Sequence, residues 1–338
     1  MSAPAGGRVP AAIALTPILS ARYREEDLRR IAEAAPGARL VTVSLEGLAD
    51  GPLDDVEVLL RGPLPAATFD RLLARCPRLA WVHSATAGVE RVLTPAAMER
   101  DLRITNARGV FSEPIAEYVL MMILAVLRRL PQLLELHRER TWQPLIAREM
   151  RDVTIGIVGL GSIGQAVARY ALMLGARVIA TRRADVDGTA RAPEGLEAID
   201  RVLPPDRLPE LLAASDFVVL ALPLTDGTAD LIDERALASF KHGSWLINVA
   251  RGALVEDRAF LRALQDGRLG GAILDTVREE PVPAASPYYD APNLILTPHT
   301  SWSSGRVLDR SIELFCENLT RYRAGQPLRN VVDRTRGY

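Results

Sequence analysis

Short apolar runs alternate with stretches of helical spacing along most of the chain, which predicts an α/β protein with mainly parallel sheets. In the first part, Arg39 to Val43, Val56 to Leu60, Leu79 to Val82 and Leu102 to Thr105 read as strands. Glu25 to Ala35 and Ala66 to Arg75 carry helical spacing between them. A second series begins at Asp152. There Val153 to Gly159 is an apolar run closed by glycine, the pattern of a strand buried on both faces. Arg177 to Thr181, Phe217 to Ala221, Ser244 to Val249, Gly271 to Leu274 and Leu294 to Thr297 make five more. Helices are expected at Ile163 to Leu174, Arg207 to Ala214, Asp233 to Ser239 and Asp257 to Gln265. Ile163, Val167, Tyr170 and Leu174 share one face of the first of these. Six parallel strands with crossover helices describe a doubly wound domain. Between the two series, Ser112-Glu113-Pro114 opens an apolar helix from about Ile115 to Leu136, with serine as N-cap and proline in the first turn. Pro131 is expected to kink or interrupt it, and the helix to act as a hinge between domains. Ser303 to Arg323 reads as a last helix.

A length of 338 residues fits about two domains. The 41 basic and 42 acidic residues leave a net charge of −1, which argues against a nucleic-acid binder or a polybasic membrane-surface protein. Lys241 is the sole lysine and lies outside any phosphate-loop motif, so Schiff-base and P-loop chemistry have little to work with. Imidazole chemistry must use His83, His137, His242 or His299. Cys76 and Cys316 cannot build a disulfide framework or a zinc site, so no metal is expected. Met1 to Pro10 lacks the pattern of a signal peptide. The longest apolar run, Tyr118 to Leu127, has ten residues, against roughly 20 for a membrane span. A cytoplasmic protein is the expectation.

The strand ending at Val158 is followed by Gly159-Leu160-Gly161-Ser162-Ile163-Gly164 and then a helix. That context turns a weak motif into a dinucleotide fingerprint. Gly159 permits the tight turn, Gly161 lets backbone approach a pyrophosphate, and Gly164 lets helix and strand pack closely. The free N–H groups of the helix start, at Ser162 and Ile163, then hold the diphosphate. NAD-preferring folds place an acid at the end of the second strand. Here that strand ends in Thr181-Arg182-Arg183, and the first acid is Asp185. A guanidinium there would bind a 2′-phosphate, with a Thr181 hydroxyl bond beside it, so NADP is expected over NAD. Alternatively an arginine stacks on adenine and both cofactors are accepted.

Three polar residues fall where strands of the second sheet should end at their carboxyl edge, the ligand-binding edge of open α/β sheets. Arg251 follows Asn248-Val249-Ala250, Glu280 follows Asp275 by a short loop, and His299 follows Thr297-Pro298. His242 precedes its strand and belongs at the opposite edge, His137 lies on a charged stretch, and His83 has no evident carboxylate partner.

The glycine run, Asn248 to Gly252, Asp275 to Pro281 and Thr297-Pro298-His299 resemble the signature blocks of the D-isomer-specific 2-hydroxyacid dehydrogenases, in order and spacing, over nearly the whole chain. Asn106 to Val110 with Ala116-Glu117-Tyr118 resembles that family's hinge, and His83 to Val89 its substrate-carboxylate loop. The resemblance implies two doubly wound Rossmann-like domains with the active site in the cleft between them. Residues 1–105 and 300–338 would bind substrate, and 106–299 the dinucleotide. It makes His299 the general acid, Glu280 the partner that favours its protonated form, and Arg251 the group that holds the substrate carboxylate and polarises the carbonyl. Backbone N–H groups of Ala87 and Gly88 would bind the same carboxylate. Asp275 would hold the nicotinamide side of the cofactor, with Leu222, Pro223, Val249 and Ala250 lining its cleft. Trp302 would wall the substrate pocket or pack at the start of the last helix. The implied activity is NADPH-dependent reduction of a small 2-oxoacid such as glyoxylate or hydroxypyruvate, by a homodimer, with His137 to Met150 either a dimer arm or a surface excursion. NAD-linked oxidation of phosphoglycerate is a rival that Arg182-Arg183 opposes. A dinucleotide-sensing corepressor is another, distinguished by lack of turnover.

Overall fold

The computed structural model describes residues 9–18, 23–183, 189–335 and 337; residues 1–8 of the N-terminal stretch, and Asp185, lie outside these. The chain forms two compact units, Met1–Phe111 with Ser304–Tyr338, and Ser112–Ser303.

The first unit contains β1 (Ala12–Leu15), α1 (Glu25–Ala34), β2 (Arg39–Thr42), β3 (Val56–Arg61), α2 (Ala66–Arg75), β4 (Trp81–Ser84), α3 (Pro95–Met98) and β5 (Arg103–Asn106). Its five strands form a parallel sheet in the order β2-β1-β3-β4-β5. Successive strand residues serve opposite faces. Ala12, Ala14, Leu59 and Val82 pack with Phe69, Leu72 and Leu73 of α2. Ile13, Leu15, Val58, Leu60 and Trp81 pack with Ile31 of α1 and with Ile312, Phe315 and Leu319 from the end of the chain. Both faces are covered, which is why the strands read as unbroken apolar runs. Strand β1 was not among the expected ones. Its Ala-Ile-Ala-Leu sequence is short, and alanine is depleted in strands.

The second unit contains α4 (Ser112–Leu127), α5 (Leu130–Arg138), β6 (Thr154–Val158), α6 (Ser162–Met173), β7 (Arg177–Thr181), β8 (Arg201–Leu203), α7 (Leu208–Ala214), β9 (Phe217–Leu220), α8 (Glu234–Ser239), β10 (Trp245–Asn248), α9 (Asp257–Gln265), β11 (Gly271–Leu274) and β12 (Leu294–Leu296). The sheet has seven parallel strands, not six, in the order β12-β11-β10-β9-β6-β7-β8. The extra member, β8, is a three-residue edge strand. The order reverses between β6 and β9, and all carboxyl ends share one edge, so any ligand site belongs at that crevice. One face is covered by α7, α8 and α9 through Leu211, Leu237, Phe260 and Leu264. The other carries α6, where Gly164 meets Ile157 of β6.

The long helix is interrupted just ahead of Pro131, as expected: it ends at Leu127, and Arg129 at φ 57° precedes the start of α5. Pro131 sits in the first turn of α5, where its missing N–H costs nothing. Ser112 lies inside α4 rather than capping it, and its buried hydroxyl has no partner. The last helix, α10 (Val307–Arg323), starts later than Ser303.

Candidate active site

The glycine loop leaves β6 and enters α6, and its three glycines answer to three different constraints. Gly159 has φ +98°, and a Cβ there would lie 2.7 Å from the Ala221 carbonyl oxygen. A Cβ on Gly164 would lie 2.1 Å from the carbonyl oxygen of Gly159. Around Gly161, by contrast, a Cβ would meet nothing within 4 Å. The loop is closed by Thr181, whose buried hydroxyl and carbonyl both accept from the Gly159 N–H. Helix α6 has no side-chain cap, so its first N–H groups, at Ser162 and Ile163, face outward. Open space over uncapped amides at a helix start is what a dinucleotide pyrophosphate requires, so the residues fit that group. After β7, Arg182 is half-buried with Nη1 donating to the Arg191 carbonyl oxygen at 3.2 Å, and Arg183 is exposed. Val249 and Ala250 are buried after β10, Leu222 is half-buried and Pro223 exposed after β9.

The polar residues at the ends of β10, β11 and β12 come together at the same edge. His299 Nδ1 lies 2.8 Å from Glu280 Oε2, and the other oxygen of that carboxylate accepts from Val277 N–H at 3.1 Å. With Nδ1 committed to a carboxylate, Nε2 is the ring atom left to hold or release a proton. Burial pushes the Glu280 carboxyl up. The hydrogen bond and charge of His299, the Val277 N–H and the nearby Arg251 guanidinium outweigh it and hold the carboxyl below the usual range. Both partners are about 40% exposed (42% and 37%), so the pair serves orientation more than stability.

Arg251 is placed by its own turn. Asn248, fully buried, donates from Nδ2 to the Arg251 carbonyl oxygen at 2.9 Å and accepts from Ala250 N–H at 3.0 Å. Gly252 then crosses the β11 loop so closely that a Cβ would lie 1.8 Å from the Val277 carbonyl carbon. That approach brings the Arg251 and Glu280 loops side by side. Neither Asn248 nor Gly252 was singled out for this role from the sequence, although both belong to the Asn248–Gly252 segment.

Asp275 is only 1% exposed, and its carboxylate accepts from Thr297 Oγ1, Thr300 N and Ser301 N at 2.7, 2.8 and 2.9 Å. It therefore organises the His299 loop. Trp302 donates from Nε1 to the His299 carbonyl oxygen at 2.7 Å, before the last helix begins. In the first unit, Ala87 and Gly88 lie in the loop after β4. Their carbonyls are tied by Asn106 Nδ2 at 2.9 Å and Thr86 Oγ1 at 2.7 Å, while their N–H groups have no acceptor among the described residues. His83 is fully buried, with Nδ1 2.7 Å from Thr105 Oγ1 and Nε2 unpartnered. Burial pushes it down to about 3, so it is a neutral core histidine. Among the described residues no group of histidine, cysteine and acidic side chains is arranged to hold a metal, and no helix is long and apolar enough to cross a membrane.

An imidazole–carboxylate pair, an arginine and a glycine loop on one edge of a doubly wound sheet define a nicotinamide-dependent dehydrogenase site. The family model for the D-isomer specific 2-hydroxyacid dehydrogenase NAD-binding domain matches residues 120–301. A glyoxylate reductase of Korarchaeum cryptofilum is 31% identical over 310 residues, covering 89% of this chain and 87% of that protein. The structure of a D-isomer specific 2-hydroxyacid dehydrogenase from Xanthobacter autotrophicus Py2, in complex with NADPH and MES, superposes with a TM-score of 0.84 at 28% identity, covering 99% of this chain and all of that one. An NADPH-dependent glyoxylate/hydroxypyruvate reductase from Sinorhizobium meliloti, in complex with NADP and sulfate, gives 0.81 at 27% identity, covering 97% of this chain and all of that one. The chain belongs to the D-isomer specific 2-hydroxyacid dehydrogenase family and is an NAD(P)-dependent oxidoreductase.

Proposed function

We propose that the protein reduces a short 2-oxoacid, glyoxylate or hydroxypyruvate foremost, and takes NADPH ahead of NADH. The observation that carries this reading is the 2.8 Å pairing of His299 Nδ1 with Glu280, which leaves Nε2 as the proton-bearing atom at the sheet edge. When bound, the reduced nicotinamide supplies the hydride. His299 Nε2 gives the proton to the carbonyl oxygen, and Glu280 steadies the ring and its charge. The Arg251 guanidinium, carried on the turn that Asn248 shapes, holds the substrate carboxylate and polarises the carbonyl. The unclaimed N–H groups of Ala87 and Gly88 suit them to binding a carboxylate. Asp275 serves the nicotinamide side chiefly by fixing the His299 loop.

The preference for NADPH rests on Arg182 and Arg183, which stand where an NAD-type site has its acid. The NADPH and NADP in the two similar structures support it. The test is a panel of 2-oxoacids assayed with NADPH and with NADH. Highest kcat/KM for glyoxylate or hydroxypyruvate with NADPH is expected; reduction confined to bulky 2-oxoacids, or faster with NADH, would overturn the reading.

A second copy of the chain is the expected partner. No residue of α5 is buried, and Trp142 and Ile146 beyond it are 101% and 93% exposed. Met121, Met173 and Leu174 line an apolar groove between α4 and α6 in the same unit. So much exposed apolar surface calls for a cover. Trp142→Ser with Ile146→Ser should shift light scattering from dimer to monomer mass, and an unchanged mass would refute this interface. The free thiols of Cys76 and Cys316 accord with a cytoplasmic site of action.

A further inference from the structure

The loop bearing His299 is held in an unusual shape. His299 has φ +50°, a left-handed conformation that side chains other than glycine adopt only when their surroundings impose it. Its own N–H is turned back to the Thr297 carbonyl oxygen at 3.0 Å. The Asp275 carboxylate grips the chain on both sides of it, through Thr297 Oγ1 before and the N–H groups of Thr300 and Ser301 after.

Thr297 has one hydroxyl proton, and it goes to Asp275 Oδ1 at 2.7 Å. Its oxygen lies 2.7 Å from the hydroxyl of Tyr118, 179 residues away on α4. With the threonine proton already committed, the tyrosine must be the donor. Burial pushes the Tyr118 hydroxyl up to about 12, so it keeps that proton at every working pH. Tyr118 to Thr297 to Asp275 is therefore a directed chain of donors. It fastens the His299 loop to a helix as well as to the sheet.

We propose that Tyr118 is a positioning residue for the reaction: through Thr297 and Asp275 it fixes the loop that aims Nε2 of His299. This rests on His299 being the acid, and it assigns a task to a side chain that touches neither the imidazole nor Glu280. Losing one hydroxyl should leave the fold intact, because the Asp275 bonds to Thr300 and Ser301 remain. It should let the loop relax from its left-handed geometry, and small misplacements of a reacting group are costly in rate.

The test is a double-mutant cycle on kcat with Tyr118→Phe, Thr297→Val and both changes together, with NADPH affinity measured by fluorescence titration. About a 10-fold loss of kcat is expected in each single variant, with little change in NADPH affinity or in KM for the 2-oxoacid. The double variant should be no worse than either single one, because both break the same chain. Thr297→Ser should restore most of the loss. A second readout does not depend on turnover: the His299 ring resonance, assigned by its absence in His299→Ala, should move in Tyr118→Phe while those of His137 and His242 stay. An unmoved resonance, an unaltered kcat or multiplicative losses in the double variant would overturn the proposal. If instead His299→Ala keeps its activity, the acid assignment is what fails, whatever the resonance does.

Discussion

One close backbone crossing sets the Arg251 and Glu280 loops side by side, and Gly252→Ala tests its importance. A Cβ at Gly252 would lie 1.8 Å from the Val277 carbonyl carbon, 2.2 Å from Arg278 N and 2.2 Å from the Val277 carbonyl oxygen. All three obstacles are main chain, so no side chain can swing away to absorb the clash. Reaching ordinary contact takes the nearest pair from 1.8 Å to at least 3.4 Å, so the β11 loop must move by more than an ångström. That loop carries Val277 and Glu280, and hence the 2.8 Å bond to His299. Overpacking of this kind costs about 1–3 kcal/mol, which for a unit of this size lowers the melting point by roughly 3–10 °C. The rate should suffer more than the stability, because misplacing a reacting group by about 1 Å can cost about 100-fold. The assay is kcat with saturating 2-oxoacid and NADPH, beside a melting curve. Gly161→Ala is the control: its Cβ meets open space, so the melting point should hold while NADPH affinity falls. A Gly252→Ala enzyme with wild-type kcat and melting point would show that the crossing does not set the site.

Other changes probe separate parts of the protein. In Glu280→Gln, one of the two oxygens becomes an NH2 group, so either Val277 N–H or His299 Nδ1 loses its acceptor. Loss of a half-exposed charged hydrogen bond, about 1–2 kcal/mol, should lower kcat by about 5- to 30-fold; a rate within twofold of wild type would contradict the pairing. Arg182→Asp should lower the NADPH-to-NADH ratio of kcat/KM by about 10- to 100-fold, and an unmoved ratio would remove that arginine from phosphate binding. His83, pushed down to about 3 in the fold, binds its proton first in the unfolded chain. Its contribution is intact above about pH 6.5 and is lost as pH falls from there toward 3, by up to about 1.4 kcal/mol per pH unit. The urea midpoint of His83→Phe should therefore vary less between pH 6.5 and 4.5 than that of wild type, and parallel profiles would refute the assignment.

The active edge was legible because parallel strands buried on both faces stand out as apolar runs, and the polar residues directly after them mark one edge. Arg251, Glu280 and His299 were placed at that edge this way, and the glycine loop was placed between its strand and helix. What was not legible depends on contacts distant in sequence. Nothing local to Thr297 announces Tyr118, 179 residues earlier, and nothing local to Asp275 shows that its carboxylate would be filled by the His299 loop. Strand β1 was hidden by its alanines and β8 by its length of three residues. Pro131 made the interruption before α5 legible, but not its exact place at Arg129, a residue with no turn signature.

The reaction proposed for this site turns on proton delivery by His299. Single-turnover reduction of glyoxylate by His299→Ala with NADPH already bound tests it most directly. General-acid removal should slow that turnover by about 100- to 10,000-fold, while NADPH affinity, set at the glycine loop, stays near the wild-type value. Reduction at close to the wild-type rate with NADPH bound would contradict the account.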